Sequence, residues 1–280
     1  MRAVRTATFY LMLLVSTVIL GVGAIVIVLL TRRQDWAHLC GRLWGNLNLW
    51  AAGVKVQLQG MENIEPGTTY ILAANHQGWF DIFAILAKIP VQFRWLAKEE
   101  LFRIPLFGQA MRSIGCIPID RADRRKALES LYTAAEQVRR GTSIVIFPEG
   151  TRSLDGMLQN FKKGGILLAI RSQHPILPIS ISGSHKILPK KGTIMIRPGT
   201  IRMTIGKPIP TKQLTVKDRD LLMERLREAI RMHLMKEEGG RLDDTVQRAV
   251  NSGPPQPAPV RNQRKTEQEP YRDQHEFTAS

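Results

Sequence analysis

The apolar positions fall into three regimes along the chain. Residues 9–30 are continuously apolar, 22 positions without charge or proline, which exceeds the ~20 needed to span a bilayer as a helix. Over residues 35–52 the pattern turns periodic. Trp36, Leu39, Cys40, Leu43, Trp44, Leu47 and Trp50 recur at three- and four-residue steps and mark one face of a helix. From about Gly53 to Glu238 short apolar runs alternate with helical stretches. Residues 54–58 alternate as a half-buried strand should, and 70–74, 116–119, 143–147 and 176–181 read as buried strands. Residues 82–87 are long enough to open a helix. A longer one covers 123–139, with Asp123 near its start and Gly141 just past its end, and 163–171 and 218–238 add a short and a long one. Residues 194–196 and 201–205, joined across Pro198-Gly199, are expected to pair as a hairpin. The sum is an α/β fold: a mixed sheet flanked by helices, with an N-terminal membrane-anchoring helix and an interfacial helix. The expected divisions are a transmembrane anchor at 1–33, an interfacial amphipathic helix at 34–52, a globular domain at 53–238 and a disordered tail at 239–280, where apolar residues thin out.

Arg2 and Arg5 would also suit a signal peptide. The apolar run is longer than the usual ~7–15 residues of such a segment, however, and Arg32-Arg33 closes it with no small-x-small cleavage site. An uncleaved anchor is the better reading. Arginines flank both ends, so Arg42 and the basic body are what tip the C-terminal side toward the cytoplasm. Three of the five tryptophans lie on the periodic face of 35–52, and tryptophan favours the headgroup region, so this helix is expected to lie along the membrane. The competing reading is a core helix of the globular domain. The formal net charge is +16, and the tail from Gly239 is neutral, with six basic and six acidic residues. The excess therefore sits in the body. It suits nucleic acid, an anionic membrane or a phosphorylated substrate, and the membrane features favour the last two over nucleic acid. Cys40 and Cys116 are far apart and the histidines are scattered, so neither a disulfide framework nor a zinc site is expected.

Two stretches carry candidate chemistry. NHQGWFD at 75–81 lies between a strand and a helix. His76 at that turn can be met by Asp81 through Nδ1, which fixes the tautomer and leaves Nε2 as a general base. No serine or cysteine nucleophile shares the segment, so the nucleophile is expected to belong to the substrate. The ordinary alternative is a turn histidine with an aspartate placed at a helix N-terminus for its dipole. IVIFPEGTRS at 144–153 runs from a strand into a chain reversal at the usual ligand-facing edge of an α/β sheet. Gly150, Thr151, Arg152 and Ser153 there offer close backbone approach, a guanidinium and two hydroxyls, the groups that hold a phosphate monoester.

His-x4-Asp followed 73 positions later by the glutamate of FPEGTRS resembles the glycerolipid acyltransferase family. GCIPIDR at 115–121, ILPISISG at 176–183 and AKEELFRIPLFG at 97–108 fall in the order of that family's other blocks. The likeness covers roughly 54–210, which makes 53–238 the expected acyltransferase domain. The polar tail lies outside it. The resemblance is nearest to the 1-acyl-sn-glycerol-3-phosphate (lysophosphatidic acid) acyltransferases. It implies His76 as base and Asp81 as its orienting partner. It further implies Arg121, Lys98, Glu149, Gly150, Thr151 and Arg152 at the acceptor's glycerol phosphate, and Pro178 and Ile179 along the acyl chain. The implied reaction moves an acyl group from acyl-CoA or an acyl carrier protein to the sn-2 hydroxyl of lysophosphatidic acid at the membrane, with no cofactor, no metal and no nucleic-acid partner. The alternatives are a different acceptor, such as glycerol-3-phosphate or another lyso-lipid, and a non-catalytic lipid-binding module of the same fold. A module of that kind would be expected to lack the base or its partner, and both are present.

Overall fold

The computed structural model describes residues 1–190 and 192–240. Most of the expected tail therefore lies outside the described residues. The chain opens with two helices, α1 (Arg2–Thr31) and α2 (Gln34–Ala52). Among the described residues, α1 is the one helix long and apolar enough to cross a membrane. Arg32, in the left-handed conformation, ends α1 and sends α2 back along it. Polar contacts fix their register: Trp44 Nε1 donates to Thr17 Oγ1 at 2.9 Å, and Asn48 Nδ2 to Ser16 Oγ at 3.2 Å. The first turns of α1 also pack on the sheet-bearing part of the chain. Phe9 is buried against Phe80 and Phe83, and Ile196 N donates to Thr6 Oγ1 at 3.0 Å.

Seven strands follow: β1 (Val54–Gln59), β2 (Ile71–Ala74), β3 (Phe93–Lys98), β4 (Ile117–Ile119), β5 (Ser143–Ile146), β6 (Ile176–Ser182) and β7 (Gly199–Ile205). They form one sheet in the order β1-β7-β6-β2-β5-β3-β4. Every pair is parallel except β6 with β7, so the sheet is mixed, as the alternation of elements predicts. The central strands read as unbroken apolar runs because both faces are covered. Leu72, Val145, Leu177 and Ile179 face a core shared with α1, α2 and α3 (Phe80–Lys88). Ile71, Ile144 and Ile176 face the opposite core, built by α5 (Arg124–Arg139), α6 (Lys163–Ser172) and α8 (Arg219–Arg231). The remaining helices are α4 (Phe107–Ser113) and the single turn α7 (Ser184–Ile187). The carboxylate of Asp123 caps α5 by accepting from Arg125 N and Lys126 N, one of the orphan-donor arrangements that start a helix.

Several elements differ from expectation, α4 and α7 among those the sequence did not announce. Residues 194–196 do not pair with 201–205, because β1 takes one edge of β7 and β6 the other, while Ile196 bonds to α1 instead. The long C-terminal helix stops at Arg231. Leu234 and Met235 then turn inward to be buried, and a short 3-10 turn, Lys236–Glu238, follows. Strand β3 is hidden in the sequence by Arg94, a buried arginine that pairs with Asp35 at 2.8 Å.

Candidate active site

Parallel strands deliver their carboxyl ends to one edge of the sheet, the usual ligand-binding edge of such folds. His76 follows β2, Lys98 ends β3, Arg121 follows β4, residues 147–153 follow β5 and residues 183–185 follow β6. Segments far apart in sequence therefore meet there.

His76 Nδ1 lies 2.8 Å from Asp81 Oδ2. The same oxygen accepts from Gln77 N at 2.7 Å and Gly78 N at 2.8 Å, and Ser184 Oγ donates to Oδ1. Asp81 is wholly buried and surrounded by donors, so Nδ1 must carry a proton, and of the two neutral tautomers only the one with its lone pair on Nε2 fits. A Cβ at Gly78 would come within 3.3 Å of Ser184 O, so the glycine lets the turn close onto α7. The imidazole lies flat on Phe147, ring centroids 3.8 Å apart and 9° from parallel. That contact fixes the ring plane from the face, as Asp81 fixes it from the edge.

The turn is braced from several sides. Asn75 bonds Ile181 through both its amide groups, at 2.7 and 2.8 Å, which ties β2 to β6 just before His76. Ser153 N donates to His76 O at 2.8 Å. Gln77 Nε2 donates to Gly156 O at 2.9 Å, and its Oε1 meets His185 Nδ1 at 3.3 Å.

Glu149 sits inside the site, only 2% exposed. One carboxylate oxygen accepts from His76 N at 2.7 Å and the other from Gln159 N at 3.1 Å. Burial pushes this carboxyl up to about 7, opposed by those two amides. Its side chain thus joins the His76 turn to the Gln159 loop.

The cations gather around the next turn. Arg121 donates to Gly150 O, and Lys190 Nζ donates to Thr151 Oγ1 at 3.2 Å and to Arg152 O at 2.6 Å. The Arg152 guanidinium lies 5.7 Å over the exposed Trp79 ring. Lys98 stands exposed at the end of β3, paired with Glu100 at 2.7 Å. Pro178 and Ile179 lie elsewhere, buried in the sheet interior beside Ala73 and Ala74. Among the described residues no three His, Cys, Asp or Glu side chains gather as metal ligands. The chemistry on offer is an oriented imidazole beside a cationic, hydroxyl-bearing turn.

Sequence reasoning missed Phe147, Ser184 and Lys190. Phe147 stands in the quoted IVIFPEGTRS stretch, and only the fold lays it on the imidazole. Ser184 and Lys190 carry no local signal.

The sequence model of the family described as acyltransferase matches residues 55–182. A 1-acyl-sn-glycerol-3-phosphate acyltransferase of Pseudomonas aeruginosa is 30% identical over 210 residues, 73% of this chain and 80% of that one. The chloroplastic 1-acyl-sn-glycerol-3-phosphate acyltransferase BAT2 of Brassica napus is 33% identical over 202 residues, 68% of this chain; the match spans only 58% of that relative's length. The crystal structure of the 1-acyl-sn-glycerophosphate (LPA) acyltransferase PlsC from Thermotoga maritima matches with a TM-score of 0.70 at 29% identity, covering 82% of this chain and 92% of that one. The chain belongs to the acyltransferase family. These relatives all bear the name of acyltransferases acting on 1-acyl-sn-glycerol-3-phosphate.

Proposed function

We propose that this protein transfers a fatty acyl group from an acyl thioester, acyl-CoA or acyl carrier protein, to the sn-2 hydroxyl of 1-acyl-sn-glycerol-3-phosphate, making phosphatidic acid. The observation that carries the proposal is the His76–Asp81 pair, in which Asp81 is held wholly as an acceptor and His76 Nε2 is left as a base. Nε2 takes the proton of the acceptor hydroxyl as its oxygen attacks the thioester carbonyl, and a carbon–oxygen bond forms. The tetrahedral intermediate then collapses, the carbon–sulfur bond breaks, and the departing thiolate receives the proton from the imidazolium. Asp81 steadies the imidazolium between these two steps.

The acceptor's phosphate is assigned to Arg121, Arg152 and Thr151, with Lys98 at the margin and Gly150 giving backbone access. Arginine suits this work because its planar fork can meet two phosphate oxygens at once. Pro178 and Ile179, in the strand that runs up to the site, are assigned to the acyl-chain side. Residues 1–33 are assigned as the membrane anchor and 34–52 as an interfacial helix, with 53–238 as the acyltransferase domain on the cytoplasmic face. The support is that Trp36, Leu39, Leu43 and Trp50 of α2 are exposed, together with the apolar flank of α1. Water is a poor neighbour for such a surface and an acyl layer a good one.

The test is the full chain in mixed micelles, given one acyl-CoA and, in parallel, the matching acyl carrier protein, against a panel of lysophosphatidic acid, glycerol-3-phosphate and lysophosphatidylcholine. Acylation of lysophosphatidic acid with preference over the others is the expected result. Turnover confined to another acceptor would replace the substrate assignment, and thiol release from no acceptor would overturn the activity.

A further inference from the structure

Asp81 is gripped at both oxygens, and only one grip comes from its own turn. Oδ2 is held by His76 Nδ1, Gln77 N and Gly78 N, whereas Oδ1 is held by the Ser184 hydroxyl from the far end of β6. A carboxylate pinned at one oxygen can still rotate its plane about the Cβ–Cγ bond. A donor on the second oxygen removes that freedom, and hydrogen bonds to a charged acceptor are roughly twice as strong as neutral ones.

Ser184 is itself placed by a turn that only glycine fits. Gly183 has φ +89°, and a Cβ there would lie 2.8 Å from Thr200 O, so glycine is required. Its amide donates to Glu238 Oε1 at 2.9 Å. Glu238 is 1% exposed and comes from the turn Lys236–Glu238, well beyond the family-matched segment 55–182. Further contacts bolt this C-terminal turn to the site. His185 Nδ1 lies 3.5 Å from the same Oε1, Lys186 pairs with Glu237 at 2.5 Å, and Leu158 N donates to Glu238 O at 3.2 Å. Leu158 is next to Gln159, the partner of Glu149, so the brace returns to the His76 backbone.

We propose that Ser184 and Glu238 are positioning residues for acyl transfer: Ser184 fixes the second oxygen of Asp81, and Glu238 fixes the turn that presents Ser184. The inference rests on the acyl-transfer reading above. Neither residue touches substrate. Their effect falls on the step in which the imidazolium forms, so it belongs in kcat and leaves both KM values alone.

The experiment uses the full chain in lysophosphatidic acid micelles with acyl-CoA, measuring kcat, both KM values and the thermal midpoint for each variant. Ser184→Ala is expected to lower kcat about tenfold or more, the scale of a lost hydrogen bond to a charged group, with either KM within about twofold. Ser184→Thr keeps the hydroxyl and should recover most of the rate. Glu238→Ala should reproduce the kcat loss, while Glu238→Gln keeps an acceptor for Gly183 N and should stay near wild type. The Ser184→Ala/Glu238→Ala pair should lose less than the product of the single losses, because both act through one contact. Wild-type kcat in folded Ser184→Ala overturns the inference, and so do losses that multiply. If Ser184→Ala does not fold, the Glu238 pair decides, and equal kcat in Glu238→Ala and Glu238→Gln overturns it. An inactive wild type would refute the activity reading; an active wild type with indifferent variants refutes only the positioning roles.

Discussion

Replacing Asp81 by asparagine separates two things the carboxylate could do: choose the tautomer of His76, or stabilise its charged form. The two backbone amides on Oδ2 decide how the new amide sits. With its oxygen at the Oδ2 position, the introduced side chain still accepts from Gln77 N, Gly78 N and His76 Nδ1, and its NH2 faces Ser184 Oγ, which can reverse to accept. The opposite orientation would set an NH2 against two N–H donors and forfeit two buried bonds, about 1–3 kcal/mol each. The structure therefore predicts an unchanged tautomer. What is lost is charge. An imidazolium and a carboxylate about 4 Å apart attract by about 4 kcal/mol at an effective dielectric of 20, and solvent at the partly open His76 reduces this toward about 2 kcal/mol. The expected fall in kcat is then roughly thirty- to a thousandfold, with KM for donor and acceptor little changed. The assay is thiol release from acyl-CoA with saturating lysophosphatidic acid, alongside His76→Ala and a folding check by circular dichroism. A loss equal to that of His76→Ala in folded protein would refute the claim that the amides hold the tautomer. A loss under about threefold would refute the charge argument and with it the paired role of His76 and Asp81.

Glu149 has its carboxyl raised to about 7 by burial, against an ordinary 4.5. The folded protein therefore holds this proton over a range where the unfolded chain has lost it. The resulting stability is present below about 4.5 and disappears as the pH rises through about 7, at most about 3 kcal/mol. Urea melts across that window should show the decline in wild type and a flatter profile in Glu149→Gln; parallel profiles would contradict it. Arg152→Lys and Arg121→Ala should raise the acceptor KM roughly tenfold or more with kcat less affected, since phosphate charge is the same in ground and transition states. Kinetics at saturating donor check this, and a defect confined to the donor KM would reverse the site assignment. Trp36→Ser with Trp50→Ser should weaken sedimentation with phosphatidylglycerol vesicles while leaving the thermal midpoint alone, both rings being exposed. Trp44→Ala should do the reverse and cost about 2 kcal/mol or more, because its ring packs on Phe83 and bonds Thr17; unchanged stability would refute that packing role.

Local features decided much of this protein from the sequence alone. The apolar run in α1, the period of α2, the cap at Asp123 and the apolar strands β2, β5 and β6 each follow from a pattern only a few residues long. His76 and Asp81 were legible as candidates for the same reason: five residues across a turn suffice for the bond, although the spacing alone also suits an aspartate placed for the helix dipole. Properties that depend on distant segments were not legible. Strand β3 is masked by Arg94, whose charge is tolerated in the interior because Asp35 from α2 meets it. The expected hairpin fails because β1 and β6, from elsewhere in the chain, claim both edges of β7. In α8 the period of the sequence continues past Arg231, yet burial of Leu234 and Met235 outweighs the local preference for helix and swings Glu238 beneath Gly183. Glu149 lies in the quoted motif, but its orientation is tertiary: the amides of His76 and Gln159, unsatisfied otherwise, draw its carboxylate inward. A motif fixes which groups are available, and the packing of remote segments fixes which way they point, because buried polar atoms must find partners wherever the fold brings them.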